Sequence, residues 1–168
     1  MRIENTVSFE QVCNAFSQEN PAPTFGSTDY ALRLLGAADR QFGGWFRTVL
    51  SLDDIMGVML PPHRHEGLEL IPPSGLTVSD AVRNVESVPQ SHICRQRIET
   101  LSRGPLSAVF LSAAPVDDPG YSDYLELVRR RYGGLTHLDG LHRLIAWAKS
   151  DRREVVAYVA GLKVTSGL

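Results

Sequence analysis

Cysteine is scarce in this 168-residue chain, which carries only Cys13 and Cys94. Two thiols build no disulfide framework, so a reduced, cytoplasmic protein is expected. An excess of either charge is also missing. Lys plus Arg is 17 and Asp plus Glu is 19, for a formal net charge of −2. A general nucleic-acid footprint needs a basic surface, so no nucleic-acid partner is expected. No apolar run approaches the roughly 20 residues of a membrane span. The opening Met1-Arg2-Ile3-Glu4-Asn5 lacks the charged-then-apolar pattern of a secretory signal, so no membrane association is expected either. There is no internal repeat, no low-complexity tract, no P-loop and no Rossmann glycine pattern. Lysine is nearly missing as well, with Lys149 and Lys163 alone against a large majority of arginines. Arginine is the side chain suited to bidentate contact with phosphate, sulfate or carboxylate, although most arginines simply solvate helix faces.

What is present is ordinary for a globular domain: 43% hydrophobic and 21% charged residues. That length and composition support one domain spanning residues 1–168. Residues 1–104 read as mainly helical. Ser8 caps a helix with Gln11 three residues on, and Phe9, Val12, Cys13 and Phe16 share one face. A second helix starts at Ser27 or Thr28, carries Tyr30, Leu34, Leu35 and Ala38 inward, and closes at Gly43-Gly44. Residues 45–50 are strand-like. Ser51 caps a short helix in which Leu52, Ile55, Met56 and Met59 fall at helical spacing. Residues 63–73 read as a loop or short extended piece. Thr77 or Ser79 opens a further helix, and a polar helix covers residues 91–101.

The pattern changes after Gly104-Pro105. Residues 106–111 form a strong strand, Asp117-Asp118-Pro119-Gly120 a turn, and residues 121–132 a helix with Tyr124, Leu125, Leu127 and Val128 inward. Strand 135–138, helix 140–149 and strand 155–159 follow. The expected fold is therefore α/β or α+β: a small mixed sheet with β-α-β order over residues 105–160 and a mainly helical N-terminal part.

The richest stretch is Thr136-His137-Leu138-Asp139-Gly140-Leu141-His142-Arg143. It reads as a strand end, a sharp turn and a helix start. Free N–H groups and the positive end of a helix dipole suit an anion. Gly140 permits the turn and close approach of a ligand. Asp139 is placed to cap the helix by accepting from an N–H two or three residues on. Leu141, Leu144, Ile145 and Ala148 form the packing stripe, which turns His142 and Arg143 toward the cleft. Cations at a helix N-terminus are unfavourable unless an anion reverses the cost. Gly140, His142 and Arg143 are thus the expected anion holders. Asp139, His137 and His142 are the candidate acid–base groups, His137 and Asp139 sharing one face of the strand. The alternative is a plain cap, with Arg143 paired to Asp139 or Glu154.

This stretch, with the strand at Val155-Val156-Ala157-Tyr158-Val159, resembles the ParB/sulfiredoxin superfamily. Its members carry Gly-x-His-Arg or Gly-x-Arg-Arg at the same strand-to-helix turn, and Pro105 to Leu111 matches the superfamily's first core strand. The resemblance implies a turn that holds nucleotide phosphates, here Gly140, His142 and Arg143 with Asp139 nearby. Leu141 stands where sulfiredoxins have their catalytic cysteine, which removes sulfinate reduction. His142 stands where chromosome-partitioning ParB proteins have a second arginine. More loosely, the whole chain resembles small actinomycete proteins of natural-product (antibiotic) pathways, some of which work beside sulfotransferase-like partners. This likeness implies an enzyme or enzyme subunit acting on a phosphate- or sulfate-bearing small molecule. Ring closure by displacement of that group, of the aziridine-forming kind, is one such reaction, and a sulfotransferase-like or kinase-like protein is the implied partner in a heteromeric complex. The alternative is a non-catalytic nucleotide-binding or regulatory module. No cofactor is identified, a nucleotide being the one candidate.

A second alternative is a metal site. Gly57, His63, His65, Glu69 and Gly75 nearly reproduce the first cupin motif, in which two histidines and a glutamate bind a divalent metal. The helical reading of residues 51–60 and the missing third histidine speak against it, and no metal is expected. The loop His63-Arg64-His65-Glu66 then lines the cleft. His92 and Cys94 are two apart on a helix and do not face each other, so Cys94 reads as core. Ser112 and Asp117 are placed to reach the cleft, and Trp147, lying off the stripe, to line a pocket or an interface.

Overall fold

In the computed structural model, which describes residues 1–21, 27–117, 124–126, 128 and 134–163, the N-terminal helices begin where their caps stand. Ser8 and Gln11 cap each other reciprocally at the start of α1 (Phe9–Glu19). Ser51 and Asp54 do the same for α3 (Leu52–Met56), and Thr77 accepts from the Asp80 N–H to start α4 (Val78–Val85). Such caps satisfy the free N–H groups of a first helical turn. Further helices are α2 (Ser27–Phe42), α5 (Ile93–Arg103) and α6 (Leu141–Lys149), and residues 124–126 and 128 are helical as well.

The strands are β1 (Arg2–Val7), β2 (Trp45–Leu50), β3 (Met59–Leu60), β4 (His63–His65), β5 (Leu68–Ile71), β6 (Leu76–Thr77), β7 (Val109–Ser112), β8 (Thr136–Asp139) and β9 (Val155–Ala160). Seven of them form one mixed sheet in the order β1-β2-β9-β7-β8-β3-β6, and β4 and β5 form a separate hairpin. The protein is therefore an α/β mixed fold, as the sequence pattern indicates. Although five helices lie in the first hundred residues, that part also supplies β1, β2, β3 and β6 to the sheet. Met59, which fits the stripe of the preceding helix, instead begins β3 and pairs in parallel with Thr136 of β8. The stretch 63–73 is the β4–β5 hairpin, turned by Glu66 and Gly67, both with positive φ.

From residue 105 the order of elements is as expected, but the pairing is not a simple β-α-β unit. β7 and β8 are antiparallel neighbours, and β7 runs parallel to β9. Helix α6 thus carries the chain from β8 across β7 to β9. The expected turn at 118–120 and most of the expected helix over 121–132, with Arg129-Arg130-Arg131, lie outside the described residues. Tyr124, Leu125 and Val128 are buried, as their pattern implies.

Alternation along the central strands divides two cores. Val155, Ala157 and Val159 of β9 and Val109 and Leu111 of β7 pack with α3 to α6, whereas Phe110, Tyr158 and Ala160 pack with α1 and α2. Trp147 has no exposed surface and belongs to the first core, so it lines neither a pocket nor an interface.

Candidate functional site

β8 ends at Asp139, and Gly140 turns the chain into α6. Gly140 is the N-cap, with φ +102° and no side-chain cap. A Cβ there would meet Val109 Cγ1 at 2.6 Å. Glycine is required on two counts, the left-handed backbone and the close approach of β7. Asp139 is therefore not the expected cap reaching two or three residues on. Its carboxylate accepts from Arg143 Nη2 at 2.6 Å, and the Asn20 amide and Gly140 N–H also favour its charged form. Burial nonetheless lifts its pKa above the usual carboxylate range.

Arg143 is more heavily engaged than its sequence suggests. Besides Asp139 it donates from Nη1 to Ser107 Oγ at 3.2 Å, to the Ala108 carbonyl and to Glu19 Oε2 at 3.4 Å. Glu19 in turn accepts from the Ala108 N–H at 3.1 Å. The guanidinium thus ties α1, the start of β7, the end of β8 and α6 together. Its ion-pair partners are Asp139 and Glu19, and Glu154 is not among them. Arg152, just past the end of α6, donates to the carbonyls of Ser102 and Gly104.

A cavity of about 480 Å³ opens over this turn. One wall is the continuous run from Thr136 to Arg143, so His137, Asp139, Gly140, His142 and Arg143 are all brought to it. Glu19, Tyr30, His63, Arg97 and Tyr124 contribute from elsewhere. Ser112, Asp117, His65 and Glu69 do not line it. The two histidines of the wall are neutral at physiological pH. Burial, then the Arg143 charge and His63, push His137 down to about 3. Burial, then His63 and Arg97, push His142 down to about 3. Both ring nitrogens of His137, Nε2 of His142 and Oγ1 of Thr136 are shut off from solvent without a hydrogen-bond partner among the described residues. Unpaired buried polar atoms of this kind cost about 1–3 kcal/mol each, and a bound ligand relieves that cost.

These facts alter the electrostatic argument for the turn. Of the two expected cations only Arg143 is charged, and its charge is matched by Asp139 and Glu19. The positive charge available to a ligand comes from Arg97 on α5, which lines the cavity and has no ion-pair partner among the described residues. Sequence reading overlooked Arg97 because nothing in a polar helix distinguishes it. The faint signal was its spacing from the buried Cys94 and the half-buried Leu101, which turns it toward the same side.

The alternative metal triad of His63, His65 and Glu69 does not form. In the hairpin Glu69 stands opposite Arg64, and His65 opposite Leu68, so Glu69 is on the other face of the ribbon from His65 and is exposed. His65 and His92 stack edge to face outside the cavity at 6.2 Å, and His92 Nε2 approaches the His65 carbonyl. His63 has different neighbours. Its Nε2 lies 3.6 Å from Cys94 Sγ, and its ring meets that of His142 edge to face at 4.9 Å. The donor atoms of His63, Cys94 and His142 all fall within 4.8 Å of one another, the one such cluster among the described residues. Cys94 is buried as expected, but its side-chain neighbour is His63 rather than His92, which accepts the Cys94 backbone N–H. Burial raises the Cys94 thiol and lowers His63.

Residues 1–167 match a family described as a family of unknown function (DUF6309). The chain belongs to the DUF6309 family. No curated protein and no solved structure matches this DUF6309 protein. No helix among its described residues is long and apolar enough to cross a membrane.

Proposed function

We propose that this DUF6309 protein is an enzyme, or the substrate-binding subunit of one, acting on a small metabolite that bears a phosphate or sulfate ester. The observation that carries the reading is the cavity wall. It brings the start of α6, an arginine (Arg97) with no ion-pair partner among the described residues, and two half-buried histidines, His137 with both ring nitrogens and His142 with Nε2 unpartnered, to one cavity. The anion sits against the α6 N-terminus after Gly140, with Arg97 supplying charge and the free backbone N–H groups the hydrogen bonds. Arg143 and Asp139 position this turn and do not need to touch the anion. The likeness of residues 139–147 to the phosphate-holding turn of the ParB/sulfiredoxin superfamily agrees with this arrangement.

His137 is the proton acceptor in this reading. It is a weak base while buried alone, and an anion brought beside it raises its affinity for a proton. An internal amine or hydroxyl of the substrate attacks the carbon bearing the ester. The new ring bond forms, the carbon–oxygen bond breaks, sulfate or phosphate leaves with the electron pair, and His137 takes the nucleophile's proton. Donors preorganised on the leaving oxygens are an ordinary source of rate.

Incubation with a panel of sulfate and phosphate esters of amino alcohols, with inorganic sulfate and phosphate release as the readout, tests the reading. Release that is lost in His137→Ala and weakened in Arg97→Ala supports it. Neither release nor binding of any ester at millimolar concentration overturns it.

A further inference from the structure

Three side chains from three separate elements converge at the cavity: His63 from β4, Cys94 from the first turn of α5 and His142 from the first turn of α6. Their donor atoms lie within 4.8 Å of one another. A tetrahedral zinc ion with Zn–S near 2.3 Å and Zn–N near 2.05 Å puts sulfur and nitrogen about 3.6 Å apart. The Cys94 Sγ to His63 Nε2 separation is 3.6 Å. The same geometry asks for about 3.4 Å between two ring nitrogens, within reach of small side-chain rotations from the spacing observed.

We infer that His63, Cys94 and His142 bind one zinc ion whose fourth position faces the cavity.

The donor set decides the metal class. A thiolate and two imidazoles with no carboxylate or carbonyl oxygen suit zinc and are poor ligands for magnesium or calcium. Copper electron-transfer sites on two histidines and a cysteine add a weak axial methionine. No methionine lines this cavity among the described residues. Among the described residues the Cys94 thiol has no hydrogen-bonding neighbour but His63, and His142 Nε2 is shut off from solvent without a partner. Zinc bound here satisfies such groups at once.

The supporting contacts are also in place. His92 Nδ1 accepts the Cys94 N–H at 3.2 Å, which fixes the start of α5 and with it the sulfur. His63 and His142 line the cavity whereas Cys94 lies behind them. Three protein ligands with one position left toward a cleft is the arrangement of catalytic rather than structural zinc. Zinc with one thiolate leaves a net positive charge beside Arg97, which draws an anionic group, or water to be activated, to the fourth position. The metal site does not rest on the anion reading, and its test uses no substrate.

Titration of the purified, metal-stripped full chain with cobalt(II), followed by absorption, tests the inference. Expected are one equivalent bound, intense visible bands of a four-coordinate ion, and a thiolate-to-cobalt charge-transfer band in the near ultraviolet. Cys94→Ser loses the charge-transfer band, His63→Ala weakens binding at least tenfold, and Cys13→Ser changes neither. X-ray absorption at the zinc edge of the zinc-loaded wild-type chain, which depends on no variant's folding, shows one sulfur among four ligands. A six-coordinate cobalt spectrum, a charge-transfer band that survives in Cys94→Ser, or a zinc shell without sulfur overturns the inference.

Discussion

Arg143 and Asp139 stand one helical turn apart across the start of α6, joined by a 2.6 Å hydrogen bond from Nη2 to Oδ2. With Glu19 as the second partner, the guanidinium is held between two carboxylates, and only 12% of its side chain is exposed. Removing one member of such a group strands the others in a poorly solvated place. Arg143→Ala is expected to destabilise the fold by about 3 kcal/mol, the low end for a buried pair because both carboxylates keep some solvent. Arg143→Lys restores the charge without the planar fork and recovers only part of that. Urea unfolding of the three proteins measures both. In contrast, the exposed Arg97 is expected to shift stability by less than about 0.5 kcal/mol when replaced by alanine.

Gly140→Ala tests the turn itself. A left-handed backbone and a Cβ placed 2.6 Å from Val109 Cγ1 act together. The expected loss is about 1–3 kcal/mol. Val109→Ala in the same chain removes the contact but not the backbone strain. The double variant should therefore lose less than the sum of the single losses, read as the coupling in a double-mutant unfolding cycle.

How much of this was legible in the sequence depended on whether a feature is local. The helices α1, α3 and α4 announce themselves because cap and apolar stripe lie within a few residues of each other. β1 does not, because Arg2-Ile3-Glu4-Asn5-Thr6 is exposed at the sheet edge and held by backbone pairing with β2, which leaves no alternation to read. β3 and β6 are two residues long and are defined by their partners, β3 by β8 and β6 by β3, rather than by any pattern of their own. The site divides in the same way. His137 through Arg143 is one contiguous wall and could be read as a unit. That His63 and Cys94 face each other is set by how the β4–β5 hairpin packs against α5, which no periodicity encodes. The charge on His142 was misjudged for a related reason: burial by distant elements, and not its place at a helix start, decides its protonation.

Stability should depend on pH through the same burial. His137 is held neutral in the folded chain down to about pH 3, whereas the unfolded chain protonates it near its ordinary value of about 6.5. Its contribution is intact above that value and is lost progressively as pH falls toward about 3. The slope reaches about 1.4 kcal/mol per pH unit where only the unfolded form is protonated. His142 is pushed equally low and adds to it. His63 is lowered too, so metal-free His137→Gln should lose part, and not all, of the histidine-dependent slope, measured as urea midpoints between about pH 7 and about pH 5. An unchanged slope would mean that His137 is solvated in the folded chain.

The central claim is that the cavity over the α6 start holds an anion with the help of Arg97. Titration of the isotope-labelled protein with inorganic sulfate and with inorganic phosphate, read by amide NMR, addresses it most directly. The account predicts saturable shifts concentrated at the amides of Leu141, His142 and Arg143, with binding weakened at least tenfold in Arg97→Ala at unchanged stability. Shifts scattered over the surface, or local shifts of equal affinity in wild type and Arg97→Ala, would contradict it.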